Sequence, residues 1–163
     1  STVSFDTTKM HYGDIKIMSV FHHTPKYFKK ALELISSGEI EVEFYPMGTL
    51  VEKIHAKGSG LGGVLTPTGV GTILEEGKKI VEIKGKKFIF EEPIDADFAL
   101  IYGTKVDKFG NVAFEGTTRN LNTIMATAAD TVIIQADEIV DCLDPNEVII
   151  PGLFIDYIVE GNK

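Results

Sequence analysis

An α/β domain, with a mostly parallel sheet flanked by helices and one inserted β-hairpin, is predicted by three features of the 163-residue sequence. Two strand-then-helix units stand in tandem near the amino terminus, which calls for parallel strands joined by right-handed crossovers. The runs Phe98-Ala-Leu-Ile101 and Val132-Ile-Ile134 are apolar on consecutive residues, the pattern of strands covered by helices on both faces. Lys84-Gly85-Lys86 separates two short runs of strand character and reads as a hairpin at the sheet's edge. With 44% hydrophobic residues the chain can bury a core of its own, so a single domain over residues 1–163 is expected.

The elements follow in order. Asp14–Phe21 reads as a strand, and Phe28, Ala31, Leu32 and Ile35 then recur at helical spacing. Thr24 suits the helix cap, Pro25 the first helical position, and Gly38 the left-handed residue past the end. Glu39–Tyr45 reads as a second strand running into Pro46-Met-Gly-Thr49. Thr49 and Glu52 have the spacing of a capping box, opening a short helix with Leu50 and Ile54 on its buried face and Gly58 beyond its end. Lys79–Ile83 and Lys87–Glu91 form the hairpin, with Lys78, Lys79, Lys84, Lys86 and Lys87 as a solvated face. Between the two central strands come a short strand, Val112–Phe114, and a helix, Thr123–Ala129, capped by Asn122. Val148–Ile150 and Phe154–Val159 are the closing strands.

Charge and composition narrow the function classes. Sixteen basic against 24 acidic residues leave a formal net charge of −8, which does not draw the molecule onto nucleic acid or an anionic membrane. A soluble protein acting on small molecules is expected. Cys142 is the only cysteine, so no internal disulfide is available; with no metal-ligand spacing, a reducing, cytoplasmic compartment is expected and no metal site. No apolar run approaches the roughly 20 residues that span a bilayer. Ser1-Thr-Val-Ser-Phe5 lacks the order of a signal peptide and has no initiator Met, pointing to a processed chain or one whose natural beginning lies upstream.

The most site-like stretch runs from Lys57 to Thr72 and holds six of the chain's 16 glycines. Gly58, Gly60 and Gly63 make a formal GxGxxG. A dinucleotide loop would follow a strand and open a helix, whereas this one follows a helix, and no Gly-Lys-Ser/Thr completes a phosphate loop. Glycine permits close backbone approach, and Thr66, Thr68 and Thr72 add hydroxyls without charge, which suits a thioester or carboxylate. The alternative is a tight connection packed under the sheet. His22 and His23 point to opposite faces of an extended segment and cannot easily share a metal; His11 and His55 have no evident partners. Glu75-Glu76 and Glu91-Glu92 read as surface charge. Glu115, at a strand end before Gly116-Thr-Thr-Arg119, is the most site-like glutamate, but no nucleophile motif supports it.

Pro46-Met-Gly-Thr-Leu50, Gly60-Leu-Gly-Gly63, Thr66-Pro-Thr-Gly-Val-Gly-Thr72 and Arg119-Asn-Leu-Asn122 together resemble the alpha subunit of the family I coenzyme A-transferases, over roughly residues 14–160. The members most alike move coenzyme A between acetoacetate and butyrate or acetate. The resemblance implies an open three-layer fold and a transferase that works through enzyme-bound thioester and anhydride intermediates. It implies no cofactor, coenzyme A thioesters and short-chain carboxylates or 3-oxoacids as substrates, and a beta subunit in a heterotetramer or larger heteromer. The nucleophilic glutamate of the family lies in that partner, in a Ser-Glu-Asn-Gly type motif absent here, so no catalytic residue is expected in this chain. Met47, Gly60, Gly62, Gly63, Thr66, Pro67, Thr68 and Gly69 would line the acyl-CoA site, with the amides of Gly60–Gly63 and the hydroxyls of Thr66 and Thr68 as donors.

Two departures stand out. Met47 replaces the family's usual glutamine, exchanging a hydrogen-bonding amide for a thioether. The family's initial strand and helix with a Gly-Gly-Phe motif are missing, so an N-terminally incomplete domain is expected. Two other readings remain: a non-catalytic ligand-binding or regulatory α/β domain, and a hydrolase using Glu115 with water.

Overall fold

The computed structural model describes residues 17–19, 25–40 and 43–161. Its principal sheet has the order β1 (Ile17–Ser19), β5 (Phe98–Asp107), β7 (Thr131–Val140), β8 (Tyr157–Glu160), all parallel, and β6 (Val112–Ala113) pairs antiparallel with the end of β5. The α/β class and the two central strands agree with the sequence reading, but both strands run to ten residues.

The hairpin, β3 (Ile80–Ile83) and β4 (Lys86–Glu91), forms where expected. It is not an edge of the main sheet. Val64–Thr66, read as loop, forms β2 and pairs antiparallel with β4, making a separate three-stranded sheet. The register sets Val64 opposite Glu91 and Thr66 opposite Ile89. Three residues sufficed because β4 offers a free edge with buried Ile89 and Glu91 on its inner face.

Helix α1 (Pro25–Ser36) begins at the proline whose fixed φ suits a first turn. Thr24 lies outside the described residues, as do His11, His22 and His23 and most of Asp14–Phe21. Helix α2 (Met47–Gly58) begins three residues earlier than the capping-box reading placed it. Pro46 precedes it without a side-chain cap, so Thr49 falls inside the first turn and is buried. Both helices close in the same way. Gly38 N–H donates to Ile35 O (3.1 Å) and Glu39 N–H to Leu34 O (3.1 Å); Gly60 N–H donates to Lys57 O (3.0 Å) and Leu61 N–H to Ala56 O (2.8 Å). This is the Schellman closure, and its left-handed residue is glycine each time, at φ +76° and +67°.

Several expected elements differ. Among the described residues of Glu39–Tyr45 there is no strand. Val148–Ile150 supplies only an isolated bridge, Ile150 to Val112, and the last strand is preceded by a 3₁₀ turn at Gly152–Phe154. The short helix α3 is Asn122–Met125, and Asn122 is its first residue, not its cap. Its side chain is claimed elsewhere: the carboxamide accepts from Tyr102 N–H (3.2 Å) and donates to Thr118 O (2.7 Å).

The core lies on one face of the main sheet. Ala99, Ile101, Val132, Ile134 and Ala136 pack against Ile54 of α2, Met125, Ala126 and Ala128 around α3, and Val106, Val112 and Ile150. Each of the fully buried isoleucines and Met125 contributes about 2 kcal/mol through apolar surface removed from water. The opposite face, with Leu100, Tyr102, Ile133 and Gln135, is only half-buried, so the continuous apolar runs are not covered equally on both sides. Leu32 and Ile35, the expected buried face of α1, are 49% and 42% exposed.

Candidate functional site

The glycine-rich stretch divides into parts with separate physical reasons. Gly58 ends α2, and a Cβ there would lie 2.2 Å from Thr127 Oγ1, so glycine at 58 lets α2 approach the segment entering β7. The N–H groups of Gly60 and Leu61 close α2 and are consumed in doing so. Gly62 is exposed with open space around it, and Gly63 (φ +140°) lies against the Phe90 ring and Glu91 O, where a Cβ would come within 2.6 Å of both. Thr66 Oγ1 accepts from Thr68 N–H (3.1 Å). Thr72 caps the 3₁₀ turn Ile73–Glu75, accepting from Leu74 N–H and donating to Gly69 O. Pro67 and Thr68 are exposed, and Gly69 packs on Leu74 and Ile89.

Met47 is the first residue of α2, 67% exposed. Gly60 follows the far end of that twelve-residue helix, so about 18 Å separates them and no single ligand atom can touch both. The last turn of α2 lies at the amino ends of β5 and β7: Lys57 pairs with Asp95 (2.5 Å) just ahead of β5, and Gly58 meets Thr127 just ahead of β7.

Beside this stretch is a buried ionic cluster that the sequence reading missed. Glu91, expected on the surface, is 5% exposed and takes two ammonium groups: Lys53 Nζ at 3.6 Å and Lys78 Nζ at 2.6 Å. Lys78, expected to be solvated, is thus tied inward. Both lysines also stand over the Tyr45 ring, 4.5 and 5.4 Å from its centroid. Burial first, then a hydrogen bond to Glu43 and the negative charges of Glu43 and Glu91, push the Tyr45 hydroxyl well above its ordinary range, so it stays neutral. A signal for this was available. Lys53 lies between Leu50 and Ile54 on the helix face that the apolar spacing marks as core.

A second buried carboxylate, Asp107, ends β5 and is fully enclosed. It accepts from Phe109 N–H and Asn111 N–H (2.9 Å each), Asn111 Nδ2 (2.9 Å) and Leu143 N–H (3.2 Å). Asn111 Oδ1 in turn accepts from Gly152 N–H (2.9 Å). Burial alone would raise its pKa; the donors from Asn111, Leu143 and Phe109 outweigh that and hold it below the ordinary carboxylate value.

Glu115 is exposed and 3.9 Å from Lys105 Nζ. His55 is half-exposed beside Glu52 (3.7 Å). Among the described residues no three His, Cys, Asp or Glu side chains gather as for a metal, and no helix is long and apolar enough to cross a membrane.

A parallel sheet with helices on its core face, a glycine-rich helix closure and an attached three-stranded sheet, with no free buried carboxylate among the described residues, is the frame on which comparison with known proteins bears. The coenzyme A transferase family model matches residues 11–161, and the chain belongs to that family. It is 52% identical over 126 residues to the acetoacetyl-CoA:acetate/butyrate CoA transferase alpha subunit of Clostridium acetobutylicum, covering 76% of this chain and 58% of that protein. It is 45% identical over 129 residues to the alpha subunit of the acetate CoA-transferase of Escherichia coli K12, covering 78% and 59%. The chain therefore spans somewhat under three-fifths of the length of these curated relatives. The crystal structure of an acyl-CoA transferase apoenzyme from Escherichia coli O157:H7 superposes with a TM-score of 0.72 at 25% identity, covering 81% of this chain and 30% of that one. The alpha-subunit resemblance read from the motifs agrees with these relatives.

Proposed function

We propose that this chain is the alpha subunit of a short-chain acyl-CoA:carboxylate CoA-transferase of the acetoacetate, butyrate or acetate type, and that a beta subunit supplies the nucleophilic glutamate. The observation that carries the reading is the 52% identity to a transferase alpha subunit. The state of the carboxylates supports the division of labour. A glutamate that attacks a thioester must be desolvated yet unpaired. Glu91 is desolvated but held by two lysines, Asp107 is desolvated but saturated by donors, and Glu115 is solvated.

In this reading the partner's glutamate attacks the thioester carbonyl, coenzyme A leaves as thiolate, and a mixed anhydride results. The thiolate then attacks the glutamyl carbonyl, releasing the first carboxylate and leaving an enzyme-bound thioester for the second. No cofactor is required. This chain supplies walls and neutral donors; with the Gly60 and Leu61 amides committed to closing α2, the Gly62–Gly63 backbone and the hydroxyls of Thr66 and Thr68, about 18 Å from Met47, are left to hold the coenzyme A end of the thioester, and the acyl end lies toward Met47. A cytoplasmic heterotetramer or larger heteromer acting on acyl-CoA and a short-chain carboxylate or 3-oxoacid completes the proposal.

Borohydride reduction of the assembled enzyme after exposure to acyl-CoA is expected to convert one glutamate of the beta subunit, read by peptide mass. A reduced residue on this chain instead would sink the division of labour.

Met47 sets a second expectation. Because its side chain is exposed at the start of α2, Met47→Gln should change stability by no more than about 0.5 kcal/mol. It should nonetheless shift the relative kcat/KM values for acetate, butyrate and acetoacetate by several-fold. Unchanged ratios across the three acids would remove Met47 from acyl selection.

A further inference from the structure

Arg119 is the only arginine in the chain, whose other 15 basic residues are lysines. It is exposed, and among the described residues no carboxylate lies within ion-pair distance of it. In a molecule of net charge −8, rich in carboxylates, an arginine with no ion-pair partner among the described residues stands out.

The backbone beneath it is held rigidly and at a cost. Arg119 ends the 3₁₀ turn Gly116–Arg119. Asn120 follows at φ 31°, ψ −129°, and Leu121 at φ −85°, ψ −3°. These are the central angles of a type II′ turn, whose first central position ordinarily demands glycine. An asparagine there stores about 1 kcal/mol or more, and such strain persists only where the surroundings enforce it. The enforcing bonds are present. Thr104 Oγ1 accepts from Glu115 N–H (3.0 Å) and meets Thr118 Oγ1 (3.3 Å), and Thr118 Oγ1 donates to Glu115 O (2.7 Å). Asn122, 3% exposed, clamps Thr118 O to Tyr102 N–H. The turn is thus bolted to the carboxyl-terminal half of β5, the edge of a parallel sheet outside which ligands bind.

We infer that Arg119 is the anchor for the free carboxylate substrate, gripping it through the fork of two parallel N–H donors that guanidinium offers. The surroundings favour a single carboxylate over a phosphate. Two carboxylates stand on the elements that carry this turn, Glu115 beside Lys105 and Asp137 accepting from the Tyr102 hydroxyl. A singly charged acid is accommodated there, whereas a multiply charged phosphate would be repelled by the two carboxylates. The inference rests on the transferase reading, because it names the part of that site that holds the acid.

Two measurements on the assembled enzyme test it. Phenylglyoxal condenses with guanidinium groups, and the Arg119 peptide reports this chain's reaction by mass. Butyrate is expected to slow modification of Arg119 several-fold, and inorganic phosphate at equal ionic strength to leave it unchanged. Equal protection by both, protection by neither, or full protection by the beta subunit with no ligand present would each overturn the assignment. This arm needs no turnover, so it stands even if transferase activity fails to appear. In steady state, Arg119→Ala is expected to raise KM for the carboxylate about tenfold to a hundredfold, the worth of a charge-assisted hydrogen bond, with Arg119→Lys intermediate. KM for the acyl-CoA should change less than about twofold. A parallel rise in both would overturn it.

Discussion

Asp107→Ala is expected to destabilise the folded chain by about 4 kcal/mol, read as the shift of the urea midpoint at constant slope. The carboxylate is wholly buried and has no charged partner among the described residues; its charge is balanced by three backbone N–H groups and the Asn111 amide. Alanine would leave those donors without acceptors inside the protein, which costs more than the bonds themselves contributed. The damage should spread, because Asn111 also holds Gly152 and with it the 3₁₀ turn that leads into β8. Asp107→Asn should cost less, since one acceptor oxygen survives.

The same residue predicts a pH dependence. Its folded pKa is lowered, so the stabilisation is present above the ordinary aspartate value of 3.8 and is lost as pH falls through the lower folded value. The stability gap between the native chain and Asp107→Asn should therefore narrow below pH 3.8. A gap that stays constant down to acid unfolding would mean the carboxylate is not the stabilising species.

Glu91→Ala is the second large effect, expected at about 3–5 kcal/mol, because it leaves the buried Lys53 ammonium without its carboxylate, beside Lys78 over the Tyr45 ring. The partner experiment makes the cause visible. Lys53→Met together with Glu91→Leu should recover most of the loss, since a well-packed apolar pair of similar volume replaces a buried ion pair at little cost. If the double variant is as unstable as Glu91→Ala, the cluster is stabilised by something other than charge pairing. Lys78→Ala, at the more exposed end of the cluster, should cost less than either.

Much of the frame was legible in the chain, and the places where reading failed share a cause. The central strands at Phe98 and Val132, the hairpin around Lys84-Gly85, the proline start of α1 and Gly38 at its closure all depend on neighbours within a few residues, whereas the second helix runs through Gly58 and closes at Gly60. Local rules suffice there. Glu91 was misread because its charge suggested solvent, and only the packing of α2 against the three-stranded sheet brings Lys53 and Lys78 to it. Asn122 was misread as a cap for the same kind of reason: its amide is taken by Tyr102, twenty residues away. Val64–Thr66 became a strand because β4, not its own sequence, offered the pairing edge.

The candidate site divides along the same line. Sequence by itself determined the family, since the Thr66–Thr72 block and its companions are runs of adjacent residues, and it determined that no nucleophile motif is present. Tertiary structure alone decided which groups remain available: it committed the Gly60 and Leu61 amides to closing α2, separated Met47 from Gly60 by the length of a helix, and set Arg119 on a strained turn with no ion-pair partner among the described residues. The physical reason is that a hydrogen-bond donor or a charge has a function only in relation to its partner, and partners distant in the chain meet only on folding.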